Sequence, residues 1–224
     1  MMMTKKLFIC ITFLVLFQQV KSESDDFGIW YGINGAYSVT KKLDISLLSM
    51  LRTFNNASKI EQMYIEPGIS YKLSKYIAIG GSYRLVNYQE NNSEFHIRHK
   101  ILADLKGNLP SGNFTFSARF RFQVQKLTYT VNESDEQPTY EGRIKLKVSY
   151  NISKSPVSPY LSIESFSPMF ADSGFKIDKA RYAAGFEYRI AKKHSVTAEY
   201  IFQREFLPVI TVMNIFAIGY NLKF

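Results

Sequence analysis

From residue 27 to the C-terminus, apolar and polar residues alternate one for one in short runs separated by turn residues. A strand sends successive side chains to opposite faces, so this period marks β-strands with one apolar and one polar face. The run at 114–125 is the cleanest: Phe114, Phe116, Ala118, Phe120, Phe122 and Val124 alternate with Thr115, Ser117, Arg119, Arg121, Gln123 and Gln125. Near the start, Ile29, Tyr31, Ile33 and Tyr37 oppose Trp30, Gly32, Asn34 and Ser38. At the end, Phe216, Ile218, Tyr220, Leu222 and Phe224 oppose Ala217, Gly219, Asn221 and Lys223. Eleven such segments can be counted and no helical period persists. Breaks fall at 40–42, 55–58, 74–75, 91–93, 109–112, 132–136, 153–156, 172–174, 192–194 and Pro208, and the connections alternate short and long. Gly32, Gly35, Gly80, Gly81, Gly185 and Gly219 read as strand glycines that relieve crowding or permit bending.

Alternation alone fits a soluble lipocalin-like barrel, apolar inside, and a membrane barrel, apolar outside. The N-terminus favours the second. Lys5 and Lys6 precede an apolar run at 7–17 and then Val20, Lys21 and Ser22, the order of a secretory signal peptide cut after Ser22. That run is too short to span a bilayer as a mature helix. Residues 1–22 are therefore expected to be a signal peptide, and 23–224 one domain. Cys10 is the single cysteine and falls in the removed segment, so the mature chain is expected to hold no disulfide and no thiol nucleophile. No later apolar run reaches helix-spanning length, and in lipid only helices and closed barrels satisfy every backbone group. The expected fold is all-β: a single antiparallel up-and-down transmembrane β-barrel of 10–12 strands in the cell outer membrane. The odd count raises a difficulty, because bacterial single-chain barrels use even numbers. Either the segment at 27–39 is not a full wall strand, or one further strand is hidden.

Charge and the closing stripe narrow the partners. Removing Lys5, Lys6 and Lys21 with the signal peptide, and no acid, lowers the formal net charge from +9 to +6. A basic balance can serve nucleic acid, but an exported chain rarely meets any, so no nucleic-acid partner is expected. A cationic surface also suits anionic lipid head groups, which makes outer-membrane lipid an expected partner. The terminal stripe of Phe216, Ile218, Tyr220, Leu222 and Phe224 resembles the assembly signal of bacterial outer-membrane barrels. That resemblance implies recognition by the barrel-assembly machinery.

A wider resemblance rests on runs that occur in order along the chain. These are Tyr83-Arg84-Leu85 after Gly80-Gly81, Ala118-Arg119-Phe120-Arg121-Phe122, Pro159-Tyr160-Leu161-Ser162-Ile163-Glu164 and Arg181-Tyr182-Ala183-Ala184-Gly185-Phe186-Glu187-Tyr188. With Trp30 and the closing Tyr220-Asn221-Leu222-Lys223-Phe224, they resemble an uncharacterised family of exported Bacteroidetes proteins, a domain of unknown function. The resemblance covers most of the mature chain. It implies an outer-membrane barrel and brings no substrate, cofactor or catalytic residue.

Candidate chemistry is sparse. A lipid-modifying barrel enzyme needs a nucleophile, a histidine and an orienting group near the lipid-facing wall. The histidines are His96, His99 and His194. His96 and His99 differ by three and point to opposite faces of a strand, so they share no metal site. His194 reads as a solvated turn residue. His99, on the lipid-facing phase with Ser93 and Glu94 near in sequence, is the one place for an esterase-like site. No phosphate-binding glycine loop and no zinc spacing occurs, so no cofactor, metal or catalytic residue is expected.

The polar phase is richer. At mid-strand it carries Glu66, Arg84, Lys100, Arg119, Arg121, Lys145, Glu164, Glu187 and Glu199. Charges at membrane depth must face protein or water and mark functional candidates. In strand order the bases from the fourth to seventh strands form one arc, and the acids from the eighth to tenth form another, with Glu66 beside the first. Barrels of this size fall between side-chain-filled and channel-forming classes. The expected function is a narrow porin-like conduit or a binding barrel for small anionic solutes. The alternative is a structural or surface-interaction barrel plugged by ion pairs; an envelope-lipid enzyme is a distant third.

Overall fold

The computed structural model describes residues 25–89, 94–129, 137–170, 174, 176–207 and 210–224. The expected signal peptide and the turn residues at 91–93, 132–136, 172–173 and 208 lie outside them.

Among the described residues the chain forms eleven strands and no helix: β1 (Asp25–Ser38), β2 (Leu43–Phe54), β3 (Lys59–Lys72), β4 (Ile77–Gln89), β5 (Phe95–Ser111), β6 (Phe114–Leu127), β7 (Thr139–Tyr150), β8 (Val157–Pro168), β9 (Lys179–Ala191), β10 (His194–Glu205) and β11 (Thr211–Lys223). Each strand pairs antiparallel with the next, and the wall closes on itself. The odd count is resolved by the closure. β1 is a full wall strand and pairs parallel with β11, from Asp25 opposite Val212 to Ala36 opposite Lys223. With an odd number of strands, ten antiparallel steps separate the first from the last, so the two run the same way and only a parallel seam can close the wall. Neither a partial first strand nor a hidden twelfth one is needed.

Parallel pairing is slightly less stable per residue than antiparallel pairing, and this seam is backed from inside by apolar packing. Trp30, Ile201 and Ile215 form a buried cluster with Ala183, Met213 and Ala217 against it. Trp30 lies opposite Ala217 in the β1–β11 register, where the small side chain leaves room for the indole. At the last rung, Phe224 N donates to Ala36 O at 2.8 Å and Ser38 N donates to Phe224 O at 3.3 Å. At the other end, the Asp26 carboxylate accepts from Asn55 N and Asn56 N, each at 2.8 Å. It holds a turn in which Asn55, Asn56 and Ala57 all have positive φ.

The two ends of the barrel differ. Connections 39–42, 73–76, 112–113, 151–156 and 192–193 gather at the end that carries Phe224, and the described residues 128–129, 137–138, 169–170 and 176–178, which flank the two longest connections, lie at the other. The apolar phase points outward, with Ile33, Leu47, Ile101, Leu146 and Ile190 all exposed. Tyr37, Tyr71, Tyr150 and Tyr188 stand exposed near the short-turn ends of their strands, where an aromatic girdle meets the membrane interface. An inside-apolar soluble barrel would show the opposite arrangement.

Two irregularities shape the lumen. The β2–β3 register shifts between Arg52 and Thr53: Arg52 faces Gln62 and Thr53 faces Ile60, so Glu61 is the extra residue of a bulge. The β3–β4 register runs from Ile65–Leu85 to Gly68–Ser82 with no paired rungs between. Pro67, which has no N–H to give the ladder, sits in that gap.

Candidate functional site: a charged lumen

The strand period sends every second side chain into the lumen, and many of the buried ones are polar, among them Gln62, Glu66, Arg84, Arg121, Gln123, Arg143, Glu164 and Gln203. Two ion-paired groups line the lumen at mid-strand. In the first, Arg84 lies 2.5 Å from Glu66, and Ser82 Oγ donates to the other Glu66 oxygen at 2.8 Å. Arg121 grips Asp104 with two N–H donors at 2.6 and 2.8 Å and reaches Glu66 at 3.9 Å. In the second, Glu164 accepts from Arg119 at 2.7 Å and from Arg143 at 2.8 Å. Arg–carboxylate contacts of this kind are charge-assisted, and the two-donor grip adds directional strength. The Glu66–Arg121 contact runs from β3 to β6, and Arg119 reaches over β7 to Glu164 on β8, so these pairs join strands that are not direct neighbours.

Of the nine charges expected in the lumen, Glu66, Arg84, Arg119, Arg121 and Glu164 are thus brought into ion pairs. Lys145 stands beside Glu164 in the β7–β8 register without an ion pair. Lys100 stands beside Arg84. Glu199 accepts from Tyr160 Oη at 3.0 Å, and Glu187 stands beside Ser158 and Thr197. The expected separation into a basic and an acidic arc does not hold. Asp104 on β5 lies inside the basic arc and Arg181 on β9 inside the acidic one. Pairs therefore form mainly between near strands, because a short reach along the wall gives better geometry than a span across the lumen.

Aromatic rings join the arginines into a belt. Arg84 lies 4.2 Å from the centre of the Tyr64 ring, and Arg52 lies 5.3 Å from it. Arg52 stacks on Trp30 at 3.9 Å, and Arg181 approaches the same ring at 4.8 Å. Arg181 and Arg143 then contact Phe166 at 4.6 and 4.4 Å. All are within the range of cation–π attraction, which strengthens where water is scarce. Asp104, Arg143, Arg52, Arg181, Trp30, Tyr64 and Phe166 were not among the expected lumen charges. Their signal is the same alternation; the two charges that belong to the pairs, Asp104 and Arg143, each occupy the inward phase of a strand that already supplied a candidate.

Between this layer and the long-connection end opens a cavity of about 380 Å³. Its cations are Arg52, Arg84, Arg98, Lys100, Arg143, Lys179 and Arg181, its acids Glu61, Glu141, Asp178 and Glu205, and its amides Gln62, Gln123, Gln125 and Gln203. The acids sit toward the mouth: Glu141 is one inward step nearer the strand end than Arg143, and Glu205 one step nearer than Gln203. Asp178, in the connection before β9, has its carboxyl pushed up from the ordinary aspartate value by burial.

Among the described residues the histidines offer no enzyme-like constellation; Ser93, the nucleophile candidate near His99, lies outside them. His99 Nδ1 shares a hydrogen bond with Tyr83 Oη on the outer wall. His96 stacks on Tyr129 with ring centres 4.2 Å apart and lies 3.7 Å from Glu94. His194, expected in a solvated turn, instead opens β10 and pairs with Tyr220 Oη at 2.5 Å. Among the described residues no cluster has the makings of a metal site.

A closed all-β wall with an apolar outer belt and a charged lumen defines the outer-membrane barrel fold, and solved structures share it. The beta domain of the Bordetella autotransporter BrkA aligns at a TM-score of 0.53 and 13% identity, over 84% of this chain and 86% of that one. The NanC porin aligns at 0.55 and 15% identity, over 89% and 99%. Comparison with curated proteins finds no match. The chain belongs to the family described as "Protein of unknown function (DUF2490)", which it matches over residues 27–214.

Proposed function

We propose that this is an integral outer-membrane barrel that binds small anionic solutes in a vestibule open at its long-connection end, and that it is not a free-running pore. The observation that carries this reading is the ion-paired layer at mid-lumen. The Arg84, Glu66, Arg121, Asp104, Arg143 and Glu164 side chains are all at most 9% exposed, so water is largely excluded where these charges pair. Porins of sixteen to eighteen strands leave a continuous aqueous channel, and this wall has eleven strands. The competing reading, a narrow conduit, needs a hydrated constriction in place of those buried pairs. Nothing in the constellation of histidines supports a lipid-modifying enzyme. The wild-type protein in planar bilayers is therefore expected to show no steady conductance across the accessible voltage range. A stable single-channel current would return the conduit reading to first place. The same protein is expected to resist carbonate extraction and to migrate faster unheated than boiled in SDS gels; a carbonate-extracted protein of unchanged mobility would remove the membrane reading.

Assembly is expected to depend on the last residue. Phe224 combines the backbone rung to β1 with an exposed aromatic ring, and its stripe resembles the signal read by the barrel-assembly machinery. Deleting Phe224 should lower the amount of folded protein in the outer membrane severalfold. Equal amounts, measured by the unheated gel band, would show that neither the rung nor the stripe is needed.

A further inference from the structure

The vestibule floor contains cations that the ion-paired layer does not use. Arg84 and Arg143 line the cavity but are committed to Glu66 and Glu164. Arg52 and Arg181 have no carboxylate partner among the described residues. Arg52 donates from Nε to Met50 Sδ at 3.3 Å and from one terminal nitrogen to Tyr64 Oη at 3.2 Å. Arg181 donates from Nε to Gln203 Oε1 at 2.7 Å. A guanidinium carries five N–H donors, so most donors of both groups remain uncommitted. Both lie against one ring, Trp30, whose own Nε1–H is buried without an acceptor among the described residues. Lys100 lines the same cavity and has no ion pair there.

Two like charges held against one indole repel each other, and a buried charge without a counter-ion is costly. The ring contacts hold both guanidinium groups while most of their N–H donors stay free, and such donor forks suit a planar or tetrahedral oxyanion. The β2–β3 bulge falls at Arg52 itself and brings Glu61 to the cavity wall; such bulges re-aim side chains next to sites. The acids nearer the mouth disfavour a second negative charge farther from the floor.

We propose that Arg52 and Arg181, held against Trp30, with Lys100 lining the same cavity, form an anion subsite for the single carboxylate or phosphate head of a small polar solute. The neutral body of the solute lies among the amides of Gln62, Gln123 and Gln203. A cavity of about 380 Å³ has room for roughly a dozen water molecules at about 30 Å³ each, so the solute is small. This inference rests on the vestibule of the proposed solute-binding barrel.

Trp30 is the single tryptophan of the chain, so its fluorescence reports directly on the subsite. The full mature chain, refolded in detergent micelles, is titrated with glycerate, glycerol 3-phosphate and glycerol at constant ionic strength. The two anions have closely similar bodies and differ in the head, so they separate the carboxylate and phosphate sources; glycerol tests the body alone. At least one anion is expected to give a saturable change, and glycerol none. Arg52→Gln and Arg181→Gln should each weaken that binding about tenfold or more, the loss of a charge-assisted contact. Lys75→Gln, in the connection at the opposite end, should leave it unchanged. If a glutamine variant does not refold, Arg52→Lys, which keeps the charge and loses the fork, should bind severalfold more weakly. No saturable change with either anion, equal response to glycerol, or undiminished affinity in the arginine variants would overturn the subsite. A conductance measurement fails or passes independently. A conducting wild type that still gives the Trp30 response would overturn the closed lumen alone, and a silent wild type without that response would overturn the subsite alone.

Discussion

Glu164→Gln is expected to lower unfolding stability by about 3–5 kcal/mol, the loss that follows when one partner of a buried ion pair is neutralised. Glu164 is the shared acceptor of Arg119 and Arg143, at 2.7 and 2.8 Å, with its side chain 7% exposed. Removing its charge strands Arg143, which is buried and has no other carboxylate within ion-pair distance among the described residues. Arg119 suffers less, because its side chain is 25% exposed and water can take over. The amide of the variant still accepts a hydrogen bond, so the effect reads the charge and not the shape. Urea unfolding of the refolded barrel should show a lower midpoint with an unchanged slope, since the surface exposed on unfolding is the same. Any current that appears in the variant should be anion-selective, because two guanidinium groups would then face the opening without their acid. An unshifted midpoint would mean that Glu164 is hydrated and that the lumen is open at that level.

The double change Arg119→Gln with Arg121→Gln is expected to act with the same magnitude and the opposite ionic sign. Arg121 holds both oxygens of Asp104 and touches Glu66. Without it Asp104 keeps Lys106 at 3.5 Å, and Glu66 keeps Arg84. A fall of about 3–5 kcal/mol is expected from the buried carboxylate left without its main partner. The shorter glutamines also open space at mid-lumen between acids. A leak through the variant should therefore prefer cations, as rings of carboxylates do in cation channels. Bilayer recordings and urea unfolding of one preparation decide the matter. Unchanged stability with a wild-type anion current that weakens in the variant would favour the narrow conduit. No change in either measurement would show that these two residues do not face the lumen as paired groups.

The period-two pattern by itself determined much of this molecule. It is a local property, set by the direction of successive Cβ atoms, so the strands, their apolar outer faces and the inward phase of Glu66, Arg84, Arg121 and Glu164 can be read from residue order alone. The same alternation placed Asp104, Arg143 and Arg181 on the inward phase, but it could not rank them. Whether an inward charge is paired depends on its height in the barrel and on which strand stands beside it, and both follow from register. Tertiary structure alone decided that β1 closes on β11 in parallel, that Asp104 meets Arg121 across β5 and β6, and that a bulge at Arg52 admits Glu61 to the cavity wall. The vestibule belongs to the same class. Arg52, Trp30 and Arg181 stand on β2, β1 and β9, far apart in the chain, and only the closed wall brings two guanidinium groups to one ring.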